Sequence, residues 1–272
     1  MTSPATGDAS AAALDGDTQP TTTALVTGAS SGIGVAIANE LARRGHALTL
    51  VARRAERLRE MADQIGGEHG VRVEWISADL TDASERDRIP AEVAERGQVV
   101  DLLINDAGMG TSGHFQELPV EQEVQMVRLN VEAMVALCGA FLPGMVERGS
   151  GRILNVASVS GFTAVPQQAT YSASKAFVLV FTEALTMDLH GTGVTATALC
   201  PGPVKTEFAG IIEGLPDRLF VDPDRVAREA IDGLEEGRRT VIPGAMNMVN
   251  AVVGRHAPRG VFLPLARRFW PT

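Results

Sequence analysis

The chain has very little of several residue types, and each shortage excludes something. Its 272 residues include one tyrosine, two tryptophans and two cysteines, and aromatic residues make up only 4%. Two cysteines, Cys138 and Cys200, cannot build a disulfide scaffold, and small buried thiols are the expectation for both. The five histidines, His46, His69, His114, His190 and His256, are scattered without ligand spacing, so no metal site is expected. Positive charge is also short. There are 24 Lys and Arg against 33 Asp and Glu, a net charge of −9 with no basic run. Neutralising a nucleic-acid backbone needs clustered cations, so a nucleic-acid partner is not expected. No apolar run in the sequence approaches the ~20 residues of a membrane span. Residues 1–22 are small, polar and nearly free of bulky apolar side chains, which predicts a flexible tail. They lack the basic start and apolar stretch of a signal peptide, so the expected location is the cytoplasm.

What is present is ordinary for a globular protein: 45% apolar and 21% charged residues. The length suits one large α/β domain. From Thr23 the pattern alternates. Strands are expected at 23–27, 46–51, 71–76, 99–104, 152–156, 194–199 and 240–242. Helices are expected at 32–44, 55–65, 82–96, 119–147, 169–190 and 222–236. Pro90 is expected to break the third of these helices, and Pro119 to open the fourth as one long rod. The strands are near-continuous Val, Ile and Leu runs, as when helices cover both faces of a sheet. Such alternation predicts a doubly wound parallel sheet spanning residues 23–243.

The first strand runs straight into Thr27-Gly28-Ala29-Ser30-Ser31-Gly32-Ile33-Gly34 and then into a helix. Glycines permit a tight turn and close backbone approach, and a helix N-terminus offers free N–H groups to a pyrophosphate. The T-G-x-x-x-G-x-G spacing resembles the short-chain dehydrogenase/reductase family. The only tyrosine, Tyr171, stands four residues before Lys175, one of only two lysines. Four residues on a helix place both on one face. A free phenol ionises near pH 10, and a neighbouring ammonium is expected to lower that value so that Tyr171 can exchange a proton with a substrate oxygen. Ser158 follows the strand 152–156, at the sheet end where parallel sheets bind ligands, and is placed to share a substrate oxygen with Tyr171. Asn130, an amide among apolar neighbours, needs a hydrogen-bond partner.

The resemblance carries further implications. It implies a Rossmann-like sheet of about seven strands in the order 3-2-1-4-5-6-7. Asn130, Ser158, Tyr171 and Lys175 match the family's catalytic tetrad, with the asparagine holding a water linked to the lysine. Gly28, Ser30, Ser31, Gly32, Ile33 and Gly34 would seat the cofactor, joined by Asp79 and Leu80 on the adenine side. Asn105, Ala107 and Gly108 would line it after the fourth strand, and Pro201, Gly202, Val204 and Thr206 would touch the nicotinamide end. Tyr171 and Lys175 would touch it too, while Ser158 and Tyr171 would bind substrate. One residue departs from the pattern: Asp106 stands where the family usually has the second Asn of N-N-A-G.

After the second strand, Ala52 occupies the place where an NAD enzyme puts an acid, and Arg53 and Arg54 follow. Arginine forks grip phosphate, so NADP(H) is expected rather than NAD(H). The expected activity is hydride transfer between the nicotinamide and a small-molecule carbonyl or secondary alcohol, with a catalytically silent NADP-binding regulator as the alternative. The family implies a homodimer or homotetramer. Residues 204–221 carry Phe208, Ile211, Ile212, Leu215, Leu219 and Phe220 between Gly210, Gly214 and Pro216, which predicts a mobile apolar lid and a lipophilic substrate. Residues 244–272 hold two apolar stretches with Arg255, Arg259, Arg267 and Arg268, and are expected to pack on the domain or a partner subunit rather than on a membrane.

Overall fold

The computed structural model describes residues 21–206, 219–260 and 263–264. Seven strands form one parallel sheet: β1 Thr21–Thr27, β2 Leu48–Ala52, β3 Val73–Ser77, β4 Gln98–Asn105, β5 Gly151–Val156, β6 Val194–Leu199 and β7 Thr240–Val241. Their spatial order is β3-β2-β1-β4-β5-β6-β7. The order reverses between β1 and β4, and the loops leaving those strands part there to open a crevice.

Among the described residues, eight α-helices flank them: α1 Gly32–Arg43, α2 Ala55–His69, α3 Ala83–Glu95, α4 Val120–Val127, α5 Met134–Arg148, α6 Ala169–Asp188, α7 Pro223–Glu235 and α8 Ala245–His256. Strand side chains alternate between two cores, because successive residues point to opposite faces. Ala24 and Val26 of β1 join Ile37, Leu41, Ala227 and Ile231 under α1 and α7. Leu25 between them joins Ile89, Leu137, Cys138 and Val178 under α3, α5 and α6.

One sequence expectation fails in this part of the chain, and a second, the long helix, is present as Val120–Arg148 with an irregularity inside it. Pro90 does not break α3, which runs on to Glu95. A proline inside a helix removes one backbone hydrogen bond. Burial of Ile89 and Val93 on either side holds the rod together. The long rod expected at 119–147 is also not uniform. Pro119 caps α4 from outside it, and a six-residue π-helical turn, Arg128–Ala133, separates α4 from α5. By length and composition alone, the combined stretch Val120–Arg148 is apolar enough to cross a membrane, and 33% of its most apolar window is buried in the fold.

Candidate active site

The site is built at the carboxyl ends of β1, β4, β5 and β6. At the end of β1 the backbone of Gly28 has φ +68°, and a Cβ there would lie 2.9 Å from the Ala107 backbone. Gly34 is as tightly confined, since its Cβ would stand 2.6 Å from the Gly28 carbonyl oxygen. Larger residues would force the loops after β1 and β4 apart. Thr27 ties those loops together. Its hydroxyl donates to the Ile104 carbonyl (3.2 Å) and accepts from the N–H groups of Asp106 and Ala107 (3.1 Å each). Sequence reasoning had quoted Thr27 only as part of the motif.

Beyond this cradle lies a cavity of about 780 Å3, lined by Gly28, Ser31, Gly32, Ser158, Tyr171 and Lys175 among others. Ile33, Gly108, Pro201, Gly202, Val204 and Thr206 also reach it. Val159, Val165, Leu219, Phe220 and Val253 line it beside the polar Ser160, Gln168 and Asn250, and the lining as a whole is more apolar than polar. The α1 N-terminus opens onto it. Ser31 stands in extended conformation at that end without a side-chain cap bond, leaving backbone N–H donors for an anion. A glycine cradle and a helix end that Ser31 itself leaves uncapped fit the pyrophosphate of a dinucleotide; of that end's N–H groups, the one of Gly34 is taken by Asp106.

Ser158 follows β5, where its hydroxyl accepts the Ser160 N–H at 3.1 Å and also hydrogen-bonds the Tyr171 phenol. Tyr171 and Lys175 project from one face of α6, with the ammonium 5.9 Å from the phenol ring centre. Lys175 is buried and donates to the Val156 carbonyl at 2.8 Å. The phenol is not made more acidic, as the neighbouring ammonium alone would make it. Burial pushes Tyr171 up to about 12 despite the Ser158 hydrogen bond, and the Asp106 carboxylate adds to the rise. Burial also pulls Lys175 down to about 8 against the opposing attraction of Asp106. The reason is that both groups lie in a poorly solvated site where either charge is costly.

Asn130 lies in the π-turn behind the cavity. Such wide turns often occur where a helix must present a functional side chain. Its amide donates to the Met109 carbonyl (2.8 Å) and the Ser174 hydroxyl (3.0 Å), and accepts the Met109 N–H (2.9 Å). A Cβ on Gly108 would touch both the Asn130 oxygen (3.2 Å) and the Lys175 nitrogen (3.4 Å), so these two groups flank one glycine.

Other expected cofactor residues stand differently. Asn105 turns into the core, where its amide donates to Asn155 at 2.8 Å. Asp79 accepts from the N–H and hydroxyl of Thr81, which is the work of a turn, and Leu80 is buried in the core. The Asn105 and Leu80 side chains are buried, while that of Asp79 is half-exposed and uses only Oδ1 in the turn. Arg54 reaches back to the glycine loop, donating to the carbonyl and hydroxyl of Ser30 at 3.1 Å each. Arg53 is exposed beside it and Ala52 is buried, so no carboxylate stands at the end of β2.

The described ends of the segment 204–221 and helix α8 also line the cavity. The segment 204–221 is pinned at its neck, where Val204 bridges Val221 and the Val221 N–H donates to the Pro203 carbonyl at 2.8 Å. Phe208, Ile211, Ile212 and Leu215 lie outside the described residues, as does most of 261–270. α8 lies across the cavity mouth. Its Asn247 is wedged against Gly202, where a Cβ would lie 2.2 Å from the amide oxygen, and Met246, Asn250 and Val253 line the opening. Arg255 ties α8 to Glu183 of α6 at 2.9 Å. Sequence reasoning missed Asn247, whose only signal is an amide in the apolar first half of α8, shared with Asn250. It also missed Gln168, which is buried in the cavity wall one turn before Tyr171.

Comparison with known proteins agrees with this geometry. The family model for short chain dehydrogenases matches residues 22–213. A putative ketoacyl reductase of Streptomyces coelicolor is 40% identical over 197 residues, which is 72% of this chain and 75% of the relative. The structure of a short-chain dehydrogenase from Sphingobium yanoikuyae in complex with NADPH superposes with a TM-score of 0.78 at 34% identity, covering 93% of this chain and 98% of that one. The bulky-bulky ketone specific alcohol dehydrogenase from Comamonas testosteroni gives 0.75 at 32% identity, with 92% and 93% covered. Motif, sheet order and site agree, and the chain belongs to the short-chain dehydrogenase family of oxidoreductases.

Proposed function

We propose that the protein is an NADP(H)-dependent carbonyl reductase acting on lipophilic small-molecule ketones. The observation that carries this reading is a single cavity holding Ser158, Tyr171 and Lys175 beside the glycine cradle in a lining more apolar than polar. The glycine loop and the α1 N-terminus hold the pyrophosphate, and Arg54 with Arg53 binds the 2′-phosphate. The neighbour that is complexed with NADPH supports that choice. When bound, the nicotinamide supplies the hydride.

The chain's own residues do the rest. Ser158 and Tyr171 hold the carbonyl oxygen between two hydroxyls. Because burial keeps the Tyr171 proton in place, the phenol serves as the acid that protonates the oxygen as charge develops on it. Lys175 stabilises the phenolate left behind, and Asn130 fixes the backbone beside Lys175 and holds the relay water. The apolar part of the lining favours ketones with large alkyl or ring substituents through area burial. The ketone specificity stated for the Comamonas testosteroni neighbour points the same way. The enzyme works as a cytoplasmic homodimer or homotetramer.

NADPH consumption followed across a homologous ketone series tests this. We expect kcat/KM to rise with chain length. Tyr171→Phe should lower kcat by about 10²–10⁴-fold, the usual worth of a positioned acid, while NADPH binding stays within about threefold. A flat series would reject the lipophilic pocket. Near-normal kcat in the Phe variant would reject the acid assignment. Tight NADPH binding without turnover of any carbonyl would make the protein a silent NADP-binding regulator.

A further inference from the structure

Asp106 is the chain's departure from the family pattern, and its side chain is half-buried. It lies in the cavity wall against the first turn of α1 and accepts the N–H of Gly34. A Cβ on Gly34 would stand 2.7 Å from the Asp106 carboxyl oxygen and 2.6 Å from the Gly28 carbonyl oxygen, so both oxygens border one small space. An amide in that space accepts from an N–H and donates to a carbonyl at once. A carboxylic acid can do the same, whereas a carboxylate only accepts. The charged groups that face it are few. From α6 come Lys175 and, beside it, Tyr171. The β1 loop from Thr27 to Gly34 carries no charge, Asn105 and Asn130 are neutral, and Cys200 at the end of β6 faces Lys175. Burial pushes Asp106 up to about 7 against the pull of Lys175 and the Gly34 N–H.

Resting on the cofactor reading above, we propose that Asp106 is a proton-linked brace of the glycine loop. Neutral, it holds the loop as an amide would; ionised, it sets a negative charge against the seat of the anionic dinucleotide, so that binding takes up a proton at Asp106. The Gly34 N–H belongs to the helix end that faces the pyrophosphate. A carboxylate on that N–H repels the incoming phosphates and draws on the same donors. By reciprocity, the phosphates hold the Asp106 proton in place.

The test compares the wild type with Asp106→Asn by NADPH fluorescence titration, buffer-dependent calorimetry and thermal melting. Proton uptake is measured between pH 7 and 9, clear of the 2′-phosphate, which titrates near ~6 and at lower pH affects both proteins' affinities alike. At pH 8 the wild type should take up roughly half to one proton per NADPH, and the variant less than half as much. Lys175 shifts with Asp106, so the same pair is also compared in a Lys175→Arg background, where no amine titrates and the difference in uptake should persist. At pH 8.5 the variant should bind about tenfold tighter than the wild type, while at pH 6.5 the two should agree within about threefold. Equal proton uptake in both proteins, or the same gain at both pH values, would overturn the proposal.

A ligand-free measurement separates this proposal from the cofactor reading. The folded protein holds a proton on Asp106 that the unfolded chain releases near 3.8, so stability from this group is lost as pH rises from there through about 7. The melting temperature of Asp106→Asn minus that of the wild type should therefore grow between pH 5 and 8. A constant offset would sink the brace whether or not NADPH binds. A growing offset in a protein that binds no NADPH would sink the cofactor reading and the linkage with it.

Discussion

At the residue scale, one physical cause moves three acidities. Burial opposes charge on whatever it surrounds, so Tyr171 and Asp106 hold their protons more tightly and Lys175 holds its own less tightly. The sequence could place Tyr171 and Lys175 on one face of a helix, because that needs only a four-residue spacing. It could not give the direction of the phenol's shift, which depends on how much solvent the surrounding loops exclude. The same limit applies to Arg53 and Arg54. Both are legible as a phosphate-binding pair, but only the structure shows Arg54 turned onto Ser30 of the glycine loop. Arg54→Ala should therefore raise the Kd for NADPH by about ten- to a hundredfold and that for NADH by much less, since charged hydrogen bonds are worth about 1.5–3 kcal/mol. Arg53→Ala should cost less than Arg54→Ala. Equal losses for the two cofactors in paired titrations would show that neither arginine reads the 2′-phosphate.

At the scale of elements, α1 is fixed from both ends: by the cofactor cradle at its start and by a surface ion cluster around the buried Glu40 at its close. Glu40 of α1 accepts from Arg43 (2.7 and 2.8 Å) and from Arg44 (2.8 Å). Arg44 also reaches Asp232 and Glu235 of α7 at 2.6 Å each, so one guanidinium joins the two helices. Hydrogen bonds from Arg43, with Arg44 adding to them, hold the Glu40 carboxyl down at about 2, well below its ordinary 4.5. A carboxylate with a depressed value contributes stability that is complete above about 4.5 and is lost as pH falls toward about 2. Glu40→Gln should then destabilise the protein by about 1–3 kcal/mol at pH 7, and the gap should close as urea melts are repeated from pH 4.5 downward. A gap that persists undiminished at pH 2.5 would mean that packing, not charge, does the work.

The elements themselves were largely legible. The Val, Ile and Leu runs marked the strands, and Asp222 and Pro223 marked the start of α7, where the Asp222 carboxylate accepts the N–H groups of Asp224 and Arg225. The π-turn at Arg128–Ala133 was not legible. Its residues fit an α-helix equally well, and what distinguishes it is that Asn130 there meets Met109 and Ser174, one 21 residues before it and the other 44 after. Pro90 misled for a related reason, because local propensity does not register the burial of Ile89 and Val93 that outweighs one lost hydrogen bond.

For the whole molecule, the outstanding feature is an uncovered apolar surface on the helices that carry the site. Val120, Val124 and Val127 form one stripe on α4 at helical spacing, each at least 44% exposed. Phe177 and Val180 stand out from α6, which packs beside α4. Such surface is costly to leave in water, at roughly 25 cal/mol per Å2. A second copy of the chain is the occupant that the proposed homo-oligomer supplies, and it would brace the face of α6 opposite Tyr171 and Lys175. Light scattering of the wild type should give the mass of a dimer or tetramer, and Phe177→Glu combined with Val180→Glu should reduce it. Because the covered helix holds Tyr171 and Lys175, kcat should fall with the mass at low protein concentration and recover as concentration rises in the wild type alone. The net charge of −9 opposes the alternative cover, an anionic lipid surface. A wild-type monomer that sediments with anionic vesicles through these same residues would give the face to the membrane instead.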